Sequence, residues 1–534
     1  MPKVKQQTAG TIGLVAAILY IIGNVVGIGI FFKNSTVFRL NEYNCIGILA
    51  AWILSTIIVL CMALSFAEIS SCKMKNKNAG VGGWATQFCG HKFGRYAKTG
   101  YSLIFWPLNT FAVLFFAGEA TLKCFAPLLG SEYWYNNYDY GHMTTFYVFI
   151  IGAVLFVLFM SLNYYKSKAM GKTGSIISFV KFAPILMVVA LGIAFGIMWS
   201  NNGLWNSTQD SVQAVANSGN DFKVIGVFSA IPAILFSFEG YISIGNISSE
   251  IKNPEKNLSL AVILGVVVIA VLYLAVTIGC ITAGTGNVYD LFQMVEDHSE
   301  IGFKILTTLI SIFIFICLIG CVNGMCKGGV CAFQSLAQEN DLFKSKALLN
   351  VRPGDNMFAG MILFVIVVGF WWVFLIIPST ILNTDALADG SSTSMVVMLY
   401  VIYGVTVAGG FANRFSKKVE VRKMKLFPLT ATIGVLGCIF LVSYVSIYQF
   451  TLAPVAGGLS NENITEFCKA PSGWGMFVKA GVQFTNLETL IWFWAMTAVA
   501  ALTPVANDVL IKLFDRSNKT PLLWDNVKKT VVLK

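Results

Sequence analysis

The sequence predicts an all-α polytopic membrane protein of twelve transmembrane helices, with the first and sixth broken and the first ten forming a 5+5 inverted repeat. Three observations carry this. Of 534 residues, 56% are hydrophobic and only 12% charged, about half the charged share of a soluble domain. Apolar runs recur at lengths that cross a bilayer core of about 30 Å. Two of these runs, five spans apart, are interrupted by glycine and polar residues.

The spans fall at 11–32, 44–67, 96–122, 143–163, 174–199, 224–247, 258–283, 304–326, 356–378, 394–412, 428–452 and 486–511. The expected organisation is a short N-terminus (1–10), a ten-helix inverted-repeat core (11–412), helices eleven and twelve with their connections (413–511), and a C-terminal tail (512–534). The opening "MPKVKQQTAG" shows no small-residue cleavage site, so the first span is expected to act as the insertion signal. With the N-terminus inside, 29 of the 37 Lys and Arg residues fall on the inner side. Seven fall outside, and Lys181 lies within a span. The positive-inside rule then puts both termini in the cytoplasm of a multi-pass plasma membrane protein. The net charge of +11 is therefore topology and gives no reason to expect a nucleic-acid partner.

The first interruption is "GNVVGIGIFF", Gly23 to Phe32; the second is "LFSFEGYISIG", Leu235 to Gly245, after Pro232. Glycine inside a helix costs about 1 kcal/mol against alanine, so a break at mid-membrane needs a reason. Each break opens a set of five spans, and five is odd, so the second set has inverted topology. Paired breaks in corresponding positions point to a substrate site at a repeat interface. The physics fits an α-amino acid. The half-helix after a break offers free N–H groups and a positive dipole end to a carboxylate. The half-helix before it ends in free carbonyls suited to an ammonium. Glycine lets a ligand approach the backbone.

Several segments together resemble the amino acid–polyamine–organocation superfamily of permeases over about residues 10–450. They are "GNVVGIGIF", "FAEISS" followed by "GVGGWATQFCG", "LFSFEGYISIGNISSEIKNPEKNLSLAV" and "QSLAQENDLF". The resemblance implies a leucine-transporter-like fold and a secondary active amino acid transporter working by alternating access. It implies a carboxylate site on the backbone of Ile28, Gly29 and Ile30, and an ammonium site on carbonyls near Val25, Phe236 and Glu239. Gly27, Ser237 and Gly240 complete the implied substrate-binding set, and Phe236 is implied as a gate. Some relatives carry serine where this chain has Ile28, so here the carboxylate rests on backbone alone.

A charge inside a span costs roughly 2.5–3.5 kcal/mol or more and is a functional hypothesis by default. Lys181, in "ISFVKFAPI", resembles the lysine that replaces a sodium ion in sodium-independent members. It is expected to hold helix one against helix eight near Asn323. The bland alternative is a lysine snorkelling to the surface. Glu239 lies within the second break. It either pairs with a substrate cation or a coupling proton, or caps unwound N–H groups. Glu119 reads as a surface anchor and Glu68 as structural. Cys317, Cys321, Cys326 and Cys331 sit at helical spacing and read as packing residues; without a CxxC pair no metal is expected.

No catalytic residues and no cofactor are expected. HExxH and GxSxG are absent, and the "GKT" at Gly171–Thr173 lacks the upstream glycine of a phosphate loop. The expected partners are an amino acid, the lipid bilayer and protons. Transport is read as sodium-independent, by proton coupling or exchange. The alternatives are a channel or sensor on the same fold, or a carrier of polyamines or other organic cations.

Overall fold

In hydrocarbon each backbone N–H and C=O must find a partner within its own segment, so long apolar runs fold as helices. A computed structural model describes residues 12–27, 29–72, 80–129, 143–202, 222–283, 300–353, 355–382, 386–459, 485–514, 522–525 and 530–533. Among these residues, ten helices are long and apolar enough to cross a membrane. Two shorter apolar helices, Leu14–Val25 and Val224–Ser237, stand where the broken spans were expected.

In chain order, α1 (Leu14–Val25) precedes a π-helical turn, Gly29–Lys33, and α2 (Asn34–Leu40). Next come α3 (Cys45–Ile69), α4 (Val81–Cys89) and α5 (His91–Gly100), which runs through a π-helical turn, Tyr101–Phe105, into α6 (Trp106–Leu129). α7 (Met143–Tyr165) is followed by α8 (Ser167–Val180) and α9 (Phe182–Asn202), which meet at Lys181. α10 (Val224–Ser237) leads through a 3₁₀ segment, Ser243–Glu250, to α11 (Pro254–Ala283) and the long α12 (Glu300–Gln338). Then follow α13 (Ser345–Leu349), α14 (Asn356–Leu382), α15 (Ala386–Ser416) and α16 (Phe427–Ser443). α16 passes through a π-helical stretch, Tyr444–Leu452, to α17 (Ala453–Ala456), and α18 (Asn486–Phe514) comes last among the helices. Near the C-terminus β1 (Leu522–Asp525) pairs antiparallel with β2 (Thr530–Leu533), Leu522 opposite Leu533.

The broken helices lie at the centre of the packing. α12 runs along α6, and α11 packs against α9, α3 and α1. Between α3 and α11, Trp52 meets Tyr273 edge-on with centroids 5.8 Å apart. On the face that carries the N-terminus, the start of the chain is stitched to the segment after α10. Ile12 N–H donates to the Glu250 carbonyl at 2.9 Å, and Lys252 N–H donates to the Ile12 carbonyl at 2.9 Å. Lys327 pairs with Glu250 at 2.8 Å across the same seam. Nearby, Lys98 pairs with Glu339 and, at 3.1 Å, with Asp341, while Arg95 pairs with Asp508 at 2.7 Å. α5, the turn after α12 and α18 are thereby joined.

Two expectations change. Glu119 is fully buried and so is not a surface anchor. Lys33, one of the seven cations counted outside, is also buried, in the π-helical turn after the first break. The segment after α12 turns at Asn340 (φ 60°), with Asn340 and Asp341 buried, and α13 begins at Ser345. Glu68 is structural as expected, accepting hydrogen bonds from Arg414 Nη2 at 2.5 Å and from Met424 N–H at 2.7 Å.

Candidate functional site

The last bond of α1 is donated by Val26 N–H to the Ile22 carbonyl, at 2.9 Å. Val26 then turns extended (ψ 113°). A helix end leaves four carbonyls without intrahelical partners; here they belong to Gly23, Asn24, Val25 and Val26. Side chains from other helices meet all four. Lys181 Nζ donates to Gly23 O at 2.6 Å and to Val26 O at 2.5 Å. The Cys321 thiol lies 3.5 Å from Gly23 O and Val26 O and 3.7 Å from Asn24 O. Tyr273 Oη reaches Val25 O at 3.1 Å.

Lys181 is 0% exposed, which rules out the snorkelling alternative. A buried ammonium is tolerated only when its donors are used, and this one spends them on the end of α1 and on Cys321 Sγ at 3.2 Å. Gly320 admits the lysine: a Cβ there would stand 3.0 Å from Lys181 Cε. The expected partner Asn323 is not part of this contact. It accepts from Asn163 Nδ2 at 2.8 Å and donates to Met170 O at 3.2 Å. Cys321, expected to be mere packing, is the α12 residue at the lysine.

The second break closes differently. Gly240 has φ +107°, a left-handed conformation that glycine adopts without strain. Glu239 Oε1 accepts from Gly240 N–H at 3.0 Å and from Tyr403 Oη at 2.9 Å. Its Oε2 is buried with no hydrogen-bond partner among the described residues. Ser243 Oγ donates to Gly240 O at 2.5 Å and accepts from Asn24 Nδ2 at 3.0 Å, which ties the two breaks together.

The breaks also touch directly. A Cβ on Gly29 would fall 2.3 Å from Ser237 Cα, so glycine is what allows this approach; a Cβ on Gly27 would fall 2.6 Å from Cys321 Sγ. Tyr273 Oη bridges Val25 O and Ser237 O, at 3.1 and 3.0 Å. Its single hydroxyl proton serves only one of these carbonyls at a time. Ser237 Oγ turns back to Ala233 O at 2.9 Å. Phe236 is buried beneath the Lys33 ammonium, 5.2 Å from the ring centroid, and Ile30 lies in the apolar core. Ile28 falls outside the described residues.

A cavity of about 460 Å³ approaches the first break from the N-terminal face. Tyr20, Asn24, Ser178, Asn323, Glu250 and Lys327 are among its lining. Among the described site residues chosen from the sequence, only Asn323 borders it. Val25, Gly27, Gly29, Phe236, Ser237, Glu239 and Gly240 lie instead in the packed junction of the two breaks. Tyr273, Tyr403 and Cys321 were not foreseen, because a tyrosine or cysteine in the middle of an apolar helix carries no local signal.

Two interrupted apolar helices, joined back to back and braced by a buried lysine among ten membrane-length helices, define a multi-span membrane protein with a polar junction at its centre. Residues 12–464 match the family described as "Amino acid permease". The chain belongs to that family, whose members are transporters rather than enzymes. It is 23% identical over 438 residues to the serine/threonine exchanger SteT of Bacillus subtilis, covering 81% of this chain and 90% of that one. It is 24% identical over 437 residues to the b(0,+)-type amino acid transporter 1 of Mus musculus, covering 81% of each. An uncharacterized protein of Mycoplasma pneumoniae is 24% identical over 366 residues, 63% of this chain and 62% of that protein.

Proposed function

We propose that this permease is a secondary active, sodium-independent amino acid transporter working by alternating access, coupled to protons or to exchange. On this reading it has twelve spans, a core of two inverted five-helix repeats over residues 11–412 with helices eleven and twelve appended (413–511), and both termini cytoplasmic in the plasma membrane. The observation that carries the reading is the Lys181 ammonium on the carbonyls of Gly23 and Val26. A fixed cation there does what a bound metal cation would otherwise do, joining the end of α1 to α8 and α12. The named exchange activity of the Bacillus relative supports the exchange mode.

The substrate carboxylate is assigned to the backbone N–H groups of Ile28, Gly29 and Ile30, and its ammonium to carbonyls near Val25, Phe236 and Glu239. Because Tyr273 has one proton for two carbonyls, either Val25 O or Ser237 O is always open to another donor. That supports an ammonium site at the junction. Phe236 serves as the gate under Lys33, and the cavity below is the inner vestibule. Glu239 contributes capping through Oε1; its unpartnered Oε2 favours a second reading in which a cationic amino acid or polyamine is carried.

The test is uptake and counterflow of a labelled amino acid panel, plus spermidine, by the purified protein in liposomes without sodium. Runs with and without an inward proton gradient separate symport from exchange. Saturable sodium-free counterflow of one amino acid class is the expected result. Uptake that appears only when sodium is added would overturn the role of Lys181, and uptake of spermidine alone would establish the second reading.

A further inference from the structure

On the N-terminal face, away from the junction, a second cavity of about 260 Å³ opens between α3, α11 and the segment entering α16. Four basic residues line it: Lys256 from the first turn of α11, and Arg422, Lys423 and Lys425 from the segment after α15. Among the described residues no acidic residue lines it. Glu255 and Glu420 are neighbours in sequence but not part of its wall. Among the described residues none of the four cations is ion-paired.

The basic segment is held in place. Met424 N–H donates to the buried carboxylate of Glu68 at 2.7 Å, Arg414 Nη2 donates to Met424 O at 2.7 Å, and Arg422 N–H donates to Ser71 Oγ at 2.8 Å. On the other side Ser259 Oγ donates to Ala67 O at 2.6 Å, fixing the start of α11 against the end of α3. The backbone that carries these four basic residues is therefore fixed by contacts that do not use their charges.

The wall below the charges is apolar, formed by Leu260, Ile263 and Met424. From Leu260 an outward stripe continues along α11 at helical spacing through Leu264, Val267 and Val271, which are 42%, 40% and 63% exposed. Lys256 and Lys425 flank the points where two membrane-length helices begin, at Pro254 and Phe427. Cations therefore stand at headgroup level above an uncovered apolar strip.

We propose that this cavity binds the phosphate of an anionic phospholipid, with the headgroup among Lys256, Arg422, Lys423 and Lys425 and an acyl chain along Leu264, Val267 and Val271. Basic pockets between membrane helices hold anionic headgroups by the same means. A soluble phosphate ester would use the charges but leave the apolar stripe bare, which is why the lipid is preferred. The proposal does not depend on what the permease carries.

The test is native mass spectrometry of the full chain in mixed micelles of phosphatidylglycerol and phosphatidylcholine with identical chains. The wild type is expected to retain phosphatidylglycerol preferentially. Combining Lys256→Ala, Arg422→Ala, Lys423→Ala and Lys425→Ala is expected to reduce that preference at least about tenfold, since each cation near an anionic surface contributes a factor of about five. Lys256→Ala alone is expected to reduce it by about that single factor, so a folding defect in the combined variant would not decide the matter. Glycerol 3-phosphate is expected not to displace the lipid. An unchanged preference in both variants would overturn the site. Displacement by glycerol 3-phosphate would show that it takes free phosphate esters instead.

Discussion

At the end of α1 the four open carbonyls are met by Lys181, Cys321 and Tyr273, which come from the α8–α9 junction, α12 and α11. After α10 the turn itself is closed from within, Glu239 capping Gly240 N–H and Ser243 capping Gly240 O, while Tyr273 on Ser237 O, Asn24 on Ser243 and Tyr403 on Glu239 reach it from other elements. The first break thus holds its shape only while three other elements keep their positions. The second is a preformed turn that would survive their movement. In a transporter the first is suited to be the joint and the second the frame.

The largest expected effect comes from Lys181→Met, which keeps the bulk and removes the donors. Two buried carbonyls lose their main partner, at about 1–3 kcal/mol each. We predict a clearly lowered melting temperature in detergent together with loss of counterflow. If the variant melts with the wild type, the first break is not held from outside and the comparison fails. Next come two glycine variants with opposite causes. Gly29→Ala has no room, its Cβ meeting Ser237 Cα at 2.3 Å, and overpacking of this kind costs about 1–3 kcal/mol. Gly240→Ala has ordinary space, 3.5 Å to Asn24 O, but the wrong φ, at about 1–2 kcal/mol. The joint-and-frame view predicts that Gly29→Ala impairs counterflow more than its stability loss explains, whereas Gly240→Ala shows the reverse. The smallest effect is expected from Tyr273→Phe, about 1 kcal/mol. With both Val25 O and Ser237 O released, apparent substrate affinity in counterflow should change while the maximal rate stays near that of the wild type. An unchanged affinity would remove Val25 O from the ammonium site.

Both breaks were legible in the sequence, because glycine and a carboxylate within an apolar run contradict the run itself. Lys181 was legible for the same reason. Its partner was not. Asn323 and Cys321 are two residues apart on α12, and at 3.6 residues per turn they face almost opposite ways. The polar residue looked like the natural partner, but the helix turns it toward Asn163 and Met170 and presents the thiol to the lysine. Glu119 was misread for a related reason: hydropathy gives depth along a span but not which side of the helix faces lipid. The aromatic hydroxyls of Tyr273 and Tyr403 gave no sign, because their role depends on helices distant in sequence.

Lys181 also changes what the surrounding solution can do to the protein. An ion that binds from solution has an occupancy set by its concentration, and dialysis or a shift in cellular salt empties its site. A cation on a side chain has no bath concentration; its local concentration is fixed by the length of its stem and cannot be diluted. The clasp on Gly23 and Val26 is therefore insensitive to which salts are present, and motion of the helices is what releases it.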